Sequence, residues 1–168
     1  MAEKTEKLNT LLDLLVDCLK DIYDSEHQII KALPKMAKNA NAPDLKHAFE
    51  THLEETQVHI ERLQQIFTHL GVKAERKTCK GTKGLIEEGE EAIKEKMDPD
   101  VRDAALINAA QKVEHYEIAG YGTARTFAQQ LGYDQVAQIL QTTLDEEGAT
   151  DKKLTQLAES AINWKAMS

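Results

Sequence analysis

The segment 111–121 constrains the fold most, because it sets a carboxylate where a helix of a soluble protein ordinarily sets an apolar side chain. At about 100° per residue, Leu106, Ala109, Val113, Glu117, Gly120, Ala124 and Leu131 share one helical face. Glu117 stands inside that stripe, Glu114 lies at its edge one turn earlier, and His115 falls on the opposite, solvated side. Desolvating an unpaired carboxylate costs several kcal/mol, so a Glu in a core stripe implies a proton, a cationic partner or a metal ion. The remaining helices decide which.

Apolar residues recur at helical spacing through most of the chain. A first helix is expected from about Leu8 to Lys38, with Leu11, Leu15, Cys18, Ile22, Ile29 and Leu33 on its inner face and Glu26 among them. Pro34 is expected to kink or end it. A second helix, about Asp44 to Leu70, has Pro43 near its first turn and Gly71 as its stop. It turns Leu45, Phe49, His52, Thr56, Ile60, Leu63 and Phe67 inward, with Glu55 and His59 on one flank. Residues 71–99 read as a polar crossover holding a short amphipathic piece, Lys83 to Met97, whose acids Glu87, Glu88, Glu90 and Glu91 form a solvated face.

Asp98-Pro99-Asp100 signals the start of a third long helix ending near Gly132. The fourth aligns Val136, Leu140, Leu144, Glu147, Asp151, Leu154, Ala158 and Ile162, placing two acids mid-stripe and directing Glu146 elsewhere. Trp164 is expected to pack one end of the bundle. Short links make each helix pair antiparallel, and a long crossover joins the pairs. The 168 residues therefore read as a single all-α domain, 1–168: a four-helix bundle whose crossover carries a short extra helix. Three Pro and eight Gly, with 41% apolar and 30% charged residues, agree with that class.

The acids repeat in spacing. Glu26 precedes Glu55 by 29 residues and Glu117 precedes Glu147 by 30, while Glu55 with His59 and Glu147 with Asp151 are each four apart. Each helix pair thus offers one Glu from its first member and a pair of donors from its second. That is how a carboxylate-bridged dinuclear metal site is built inside a four-helix bundle. Taken singly, an acid near an apolar stripe is more often a boundary residue reaching water, and His52 or His59 a hydrogen-bonded helix residue. Coincidence across four helices favours metal.

Several stretches together resemble the YciE/YciF family, a branch of the ferritin-like proteins: 23–36, 52–63, 84–88, 102–106, 111–118, 130–133 and 145–147. The likeness spans nearly the whole chain and implies a bacterial, cytoplasmic, stress-associated, dimeric bundle whose biochemical activity is not established for the family. The wider ferritin-like pattern takes a Glu from the first and third helices and Glu-x-x-His from the second and fourth. Glu26 and Glu117 fit, with Glu114 as a possible extra ligand. The second helix departs, offering Glu55 with His59 or His52 with Glu55, because Glu54 and Gln57 point outward. The fourth has Thr150 where His belongs and offers Asp151 instead.

Such an oxygen-rich set, with no thiolate in reach, favours a dinuclear iron centre or, as the alternative, manganese. The expected function is metal binding, extending to Fe(II) oxidation or peroxide handling, although the scarcity of imidazoles counts against oxidase chemistry. Tyr23, Tyr116 and Tyr121 either donate hydrogen bonds to the ligands or simply pack. The competing expectation is a structural, dimerising bundle whose buried acids form a metal-free polar network that sets helix register. The net charge of −8 argues against binding nucleic acid or anionic membranes, and with it against a DNA-protecting cage. Cys18 and Cys79 read as free thiols, the first seven residues lack a secretory apolar run, and no stretch approaches about 18 apolar residues, so the cytosol is the expected compartment.

Overall fold

A computed structural model describes residues 7–167. The residues at the N-terminus on which the secretory reading rests lie, up to residue 6, outside this range. The elements are α1 (Leu11–Asn39), α2 (Pro43–His69), α3 (Lys80–Lys94), α4 (Pro99–Gln130), α5 (Asp134–Leu157), a π-helical turn (Ala158–Ile162) and α6 (Asn163–Ala166). The long helices α1, α2, α4 and α5 form the bundle, and α3 rides in the crossover against α1 and α4.

Local chemistry sets the ends. Thr10 Oγ1 accepts the Asp13 N–H (3.1 Å) while Asp13 Oδ2 accepts the Thr10 N–H (2.9 Å), a capping box that starts α1 at Leu11 rather than near Leu8. Asp98 caps α4 by accepting the Asp100 N–H at 2.9 Å, with Pro99 at the first helical position. Both α2 and α4 end on a glycine of positive φ, Gly71 at 67° and Gly132 at 78°. There the N–H groups of Val72 and Tyr133 turn back to the Phe67 and Ala128 carbonyls (3.0 and 2.9 Å).

Pro34 neither ends α1 nor prevents five further helical residues. It sits on the exposed side of the helix, whereas Leu33 and Ala37 are buried beside Leu45, Phe49 and Leu106. That packing offsets the roughly 3 kcal/mol a mid-helix proline costs. The crossover helix begins and ends three residues before the expected Lys83 to Met97. Trp164 does not pack the bundle end: it is 67% exposed, because two residues beyond buried Ile162 is the far side of a helix.

Two buried carboxylates pin the irregular segments. Asp103 accepts the N–H groups of Asn41 and Ala42, both at 2.7 Å, so α4 begins at the end of the bundle where α1 finishes. Asp24 accepts the Cys79 N–H (2.8 Å), Gln28 Nε2 and Arg76 Nε, fastening the crossover to α1. The apolar core is split. One cluster contains Leu15, Leu19, Leu63, Phe67 and Leu140; the other contains Leu33, Leu45, Phe49, Leu106 and Leu154. Between them lies a buried polar layer of Glu26, His52, Thr56, His59, Glu114, Glu117, Thr143 and Glu147.

Candidate metal centre

Four helices feed this layer. Glu26 comes from α1, His52 and His59 from α2, Glu114 and Glu117 from α4, and Glu147 from α5. They fall into two groups, His52–Glu114–Glu117–Glu147 and Glu26–His59–Glu147, and in each group one donor atom per residue lies within 4.8 Å of the others. Glu147, fully buried, belongs to both.

The inward atoms are close without being mutually satisfied. His59 Nδ1 lies 3.1 Å from Glu147 Oε1 and 3.3 Å from Glu26 Oε1; His52 Nε2 lies 3.3 Å from Glu114 Oε1 and 3.7 Å from Glu147 Oε2. Yet His52 Nε2, His59 Nδ1, both Glu147 oxygens and the Oε2 atoms of Glu26, Glu114 and Glu117 make no hydrogen bond among the described residues. Donor atoms this close together that leave one another unbonded form groups that could hold a metal ion.

Each imidazole is held from behind. His52 Nδ1 meets Glu55 Oε2 at 3.2 Å, with Thr150 Oγ1 3.3 Å away. His59 Nε2 meets Glu146 Oε2 at 2.8 Å, and Arg62 grips that carboxylate through both terminal nitrogens at 2.6 and 2.9 Å. A carboxylate on the outer nitrogen fixes the ring and turns the inner nitrogen's lone pair toward the centre, the backing that metal-bound histidines ordinarily have. Glu26 also accepts a hydrogen bond from the Tyr121 hydroxyl, and Glu117 accepts one from Ser25 Oγ at 3.5 Å.

Electrostatics follow from burial. Desolvation drives the carboxyls of Glu114 and Glu117 well above the ordinary range, and the neighbouring Glu147 and Glu26 charges add to it. Glu26 is raised by desolvation too, even with His59 beside it. Desolvation also acts on Glu147, but contact with His59 and the nearby His52 outweigh it and hold its pKa below the usual value. For His59, burial works against the proton, yet the Glu147 and Glu26 carboxylates prevail and push it up to about 10. Without a cation the layer therefore holds protons.

Of the sequence-predicted ligands, Glu26, His59, Glu114, Glu117 and Glu147 come together, and His52 joins alongside His59 instead of replacing it. Glu55 and Asp151 stand outside both groups. Glu55 backs His52, and Asp151 Oδ1 sits at the rim against Gln111 Nε2 (3.0 Å) and His115 Nε2 (3.1 Å). Glu146 does not point elsewhere: 100° around from Glu147, its carboxylate reaches α2, which lies beside α5. The pairing of His52 with His59 was open to detection, since seven residues is two helical turns. The Glu146–Arg62 support required knowing which helices are neighbours. Tyr121 is a hydrogen-bond donor to the site, whereas the Tyr23 ring packs edge-on to Phe67.

Four carboxylates and two imidazoles make up the donor set. The ferritin-like dinuclear pattern has the same inventory. Here its distribution differs, with both imidazoles on α2 and the extra carboxylate on α4.

Residues 10–167 match the sequence family described as a domain of unknown function, DUF892. The chain is also 48% identical over 160 residues to protein YciF of Escherichia coli K12, covering 95% of this chain and 96% of that protein. The chain belongs to the DUF892 family. This bears out the YciE/YciF resemblance. The crystal structure of the E. coli stress protein YciF superimposes with a TM-score of 0.90 over 93% of this chain and 99% of that one. YcfI of Rhodopseudomonas palustris does so at 0.88 with 46% identity, over 91% and 98%. A Xanthomonas campestris protein at 23% identity shares the fold, with a TM-score of 0.71 over 91% and 94%. The all-α bundle expected from the sequence is the DUF892 fold. None of its described helices is long and apolar enough to cross a membrane.

Proposed function

We propose that this DUF892 protein binds a dinuclear metal centre, iron or alternatively manganese, in the polar layer of its bundle. The observation that carries the reading is the pair of three- and four-residue donor groups joined at Glu147, with inward donor atoms left unbonded. Burying several acids and two imidazoles costs too much to be incidental unless something repays it. Two divalent cations would balance the four carboxylates in charge. Glu26, His59 and Glu147 would hold one ion, and His52, Glu114, Glu117 and Glu147 the other. Hard oxygen donors with limited imidazole suit iron or manganese. When bound, such a centre supplies one-electron redox chemistry toward oxygen or peroxide, so Fe(II) oxidation or peroxide disposal is the proposed activity. The chain's own residues would keep water scarce around the ions and hold the imidazoles through Glu55 and Glu146. By kinship with the stress protein YciF, the proposed setting is a cytoplasmic, dimeric, stress-associated protein.

A second reading is favoured by the His59 contacts: an imidazolium between Glu147 and Glu26 partly neutralises the layer without metal. It makes the layer a register-setting polar network. Elemental analysis of protein purified without chelator or histidine tag separates the two. About two iron or manganese ions per chain, absent from a folded Glu147→Gln variant, are expected. Metal-free wild type that stays so after anaerobic Fe(II) or Mn(II) addition would leave the network reading.

A further inference from the structure

A buried centre needs a route to it, and the clefts on this molecule differ in where they lead. A cleft between α2 and α5, lined by Glu55 and Thr150, contains no member of either donor group. A narrow one between α1, α3 and α4 ends at Glu114, but apart from the Lys35–Glu90 ion pair its walls are apolar, among them Ile29, Leu33, Met36 and Ile86, and an ion would be stripped of water there without replacement. The third lies between α1 and α4 on the opposite side of the bundle from the first, with a volume of about 350 Å³.

Its polar lining forms a ladder. Asp17, Asp21 and Ser25 are four residues apart on α1, and Glu117 of α4 lies at the inner end. Glu117 is only 3% exposed, lines this cleft, and leaves Oε2 without a hydrogen bond. It therefore belongs both to the cleft and to the His52 group. Lys77 stands at the mouth, tied to Asp17 at 2.6 Å, so the two aspartates outnumber the one ammonium. Tyr116 forms a fixed wall, its hydroxyl 3.2 Å from Cys79 Sγ.

We propose that the α1–α4 cleft is the passage by which divalent cations reach the centre, with Asp17 and Asp21 concentrating them at the mouth and Ser25 and Glu117 receiving them at the inner end. The proposal rests on the metal-centre reading and adds the route. Acidic clefts raise the local concentration and arrival rate of cations, an effect that salt weakens.

The test is stopped-flow uptake of Co(II) alone, followed by its visible absorption, for wild type, Asp21→Asn, Gly120→Leu and Ala149→Leu. Gly120 lines the passage, and a Cβ there meets Ile22 Cγ1 at 3.5 Å, an ordinary contact, so the larger side chain extends into the cleft. Ala149 lines the α2–α5 cleft and serves as the opposite-side control. Gly120→Leu is expected to load roughly tenfold or more slowly to the same final stoichiometry. Asp21→Asn, an independent change that inserts no bulk, is expected to load more slowly at low salt and to lose most of the wild type's salt dependence. Ala149→Leu is expected to match wild type. If wild type loads and the Gly120 and Asp21 variants keep its rate, or only Ala149→Leu is slowed, the passage is wrong and the centre stands. If wild type takes up no Co(II), both are wrong.

Discussion

At the scale of the residue, Glu117 shows how a single buried side chain is poised between liability and use. Its carboxyl is held well above the ordinary range by desolvation and by the charges of Glu26 and Glu147. At pH 8 a raised carboxyl costs the metal-free protein stability, because ionising it is harder folded than unfolded. Glu117→Gln keeps the volume and removes that cost. Denaturant melts in chelator at pH 8 should show it more stable than wild type by about 1 kcal/mol or more, while metal content falls. Equal stability would mean that the carboxyl is not strained. The backing residues should behave differently from the ligands. Glu146→Gln and Glu55→Gln are expected to weaken metal binding by about 10- to 100-fold without abolishing it, against complete loss in Glu147→Gln. Complete loss in Glu55→Gln would restore Glu55 as a direct ligand, the role its spacing to His59 suggests.

At the scale of the helix, packing overrules propensity. Pro34 is exposed in the last third of α1, held helical by Leu33 and Ala37 on the buried side. Since its ring removes a helical hydrogen bond and presses on the preceding turn, Pro34→Ala should raise stability, by up to about 3 kcal/mol. A lower melting temperature would show instead that the proline shapes the helix for its packing. Local propensity allowed an end at Pro34 that does not occur, because the contacts that overrule it are not local. Sequence reading succeeded at Gly71 and Gly132 because a left-handed helix end needs nothing beyond its own backbone. The capping box at Thr10 was equally local: Asp at the third helical position was visible in the sequence and sets the start of α1.

For the whole molecule the polar layer divides the core and gives the metal-free bundle an unusual response to pH. Glu114 and Glu117 keep their protons when folded over a range where the unfolded chain, with ordinary carboxyls, has lost them. The native state binds more protons there, so stability falls as pH rises above about 4.3. His59 acts in the same direction later: its imidazolium contribution is complete below the ordinary value and is lost as pH climbs through about 10. Asp24 acts the other way. Burial opposes its charge, but the Cys79 N–H, Gln28 and Arg76 depress its pKa, so its contribution is full above the ordinary aspartate value and is lost as pH falls through the lower folded one. Metal-free protein should therefore be most stable in mildly acidic solution and weaken toward pH 8, with metal reversing the trend, because binding to the folded form alone adds stability. Thermal melts at pH 5 and 8, with and without Fe(II) under argon, would read this, and a rise in metal-free stability toward pH 8 would contradict it.

Taken by itself, the sequence determined the bundle and the acids that enter it. Helical periodicity is a property of neighbouring residues, and it placed Glu26, Glu114, Glu117 and Glu147 on or beside buried faces without any knowledge of the partners. Tertiary structure alone decided the grouping. That Glu146 and Arg62 stand behind His59, that Glu114 and Glu147 meet His52, that Asp151 stays at the rim and that Glu117 closes a cleft between α1 and α4 all depend on the relative rotation and position of helices whose contacts lie dozens of residues apart. A one-dimensional pattern fixes the direction of a side chain only to within the face of its own helix, and a metal site is decided by a few ångströms between atoms on four.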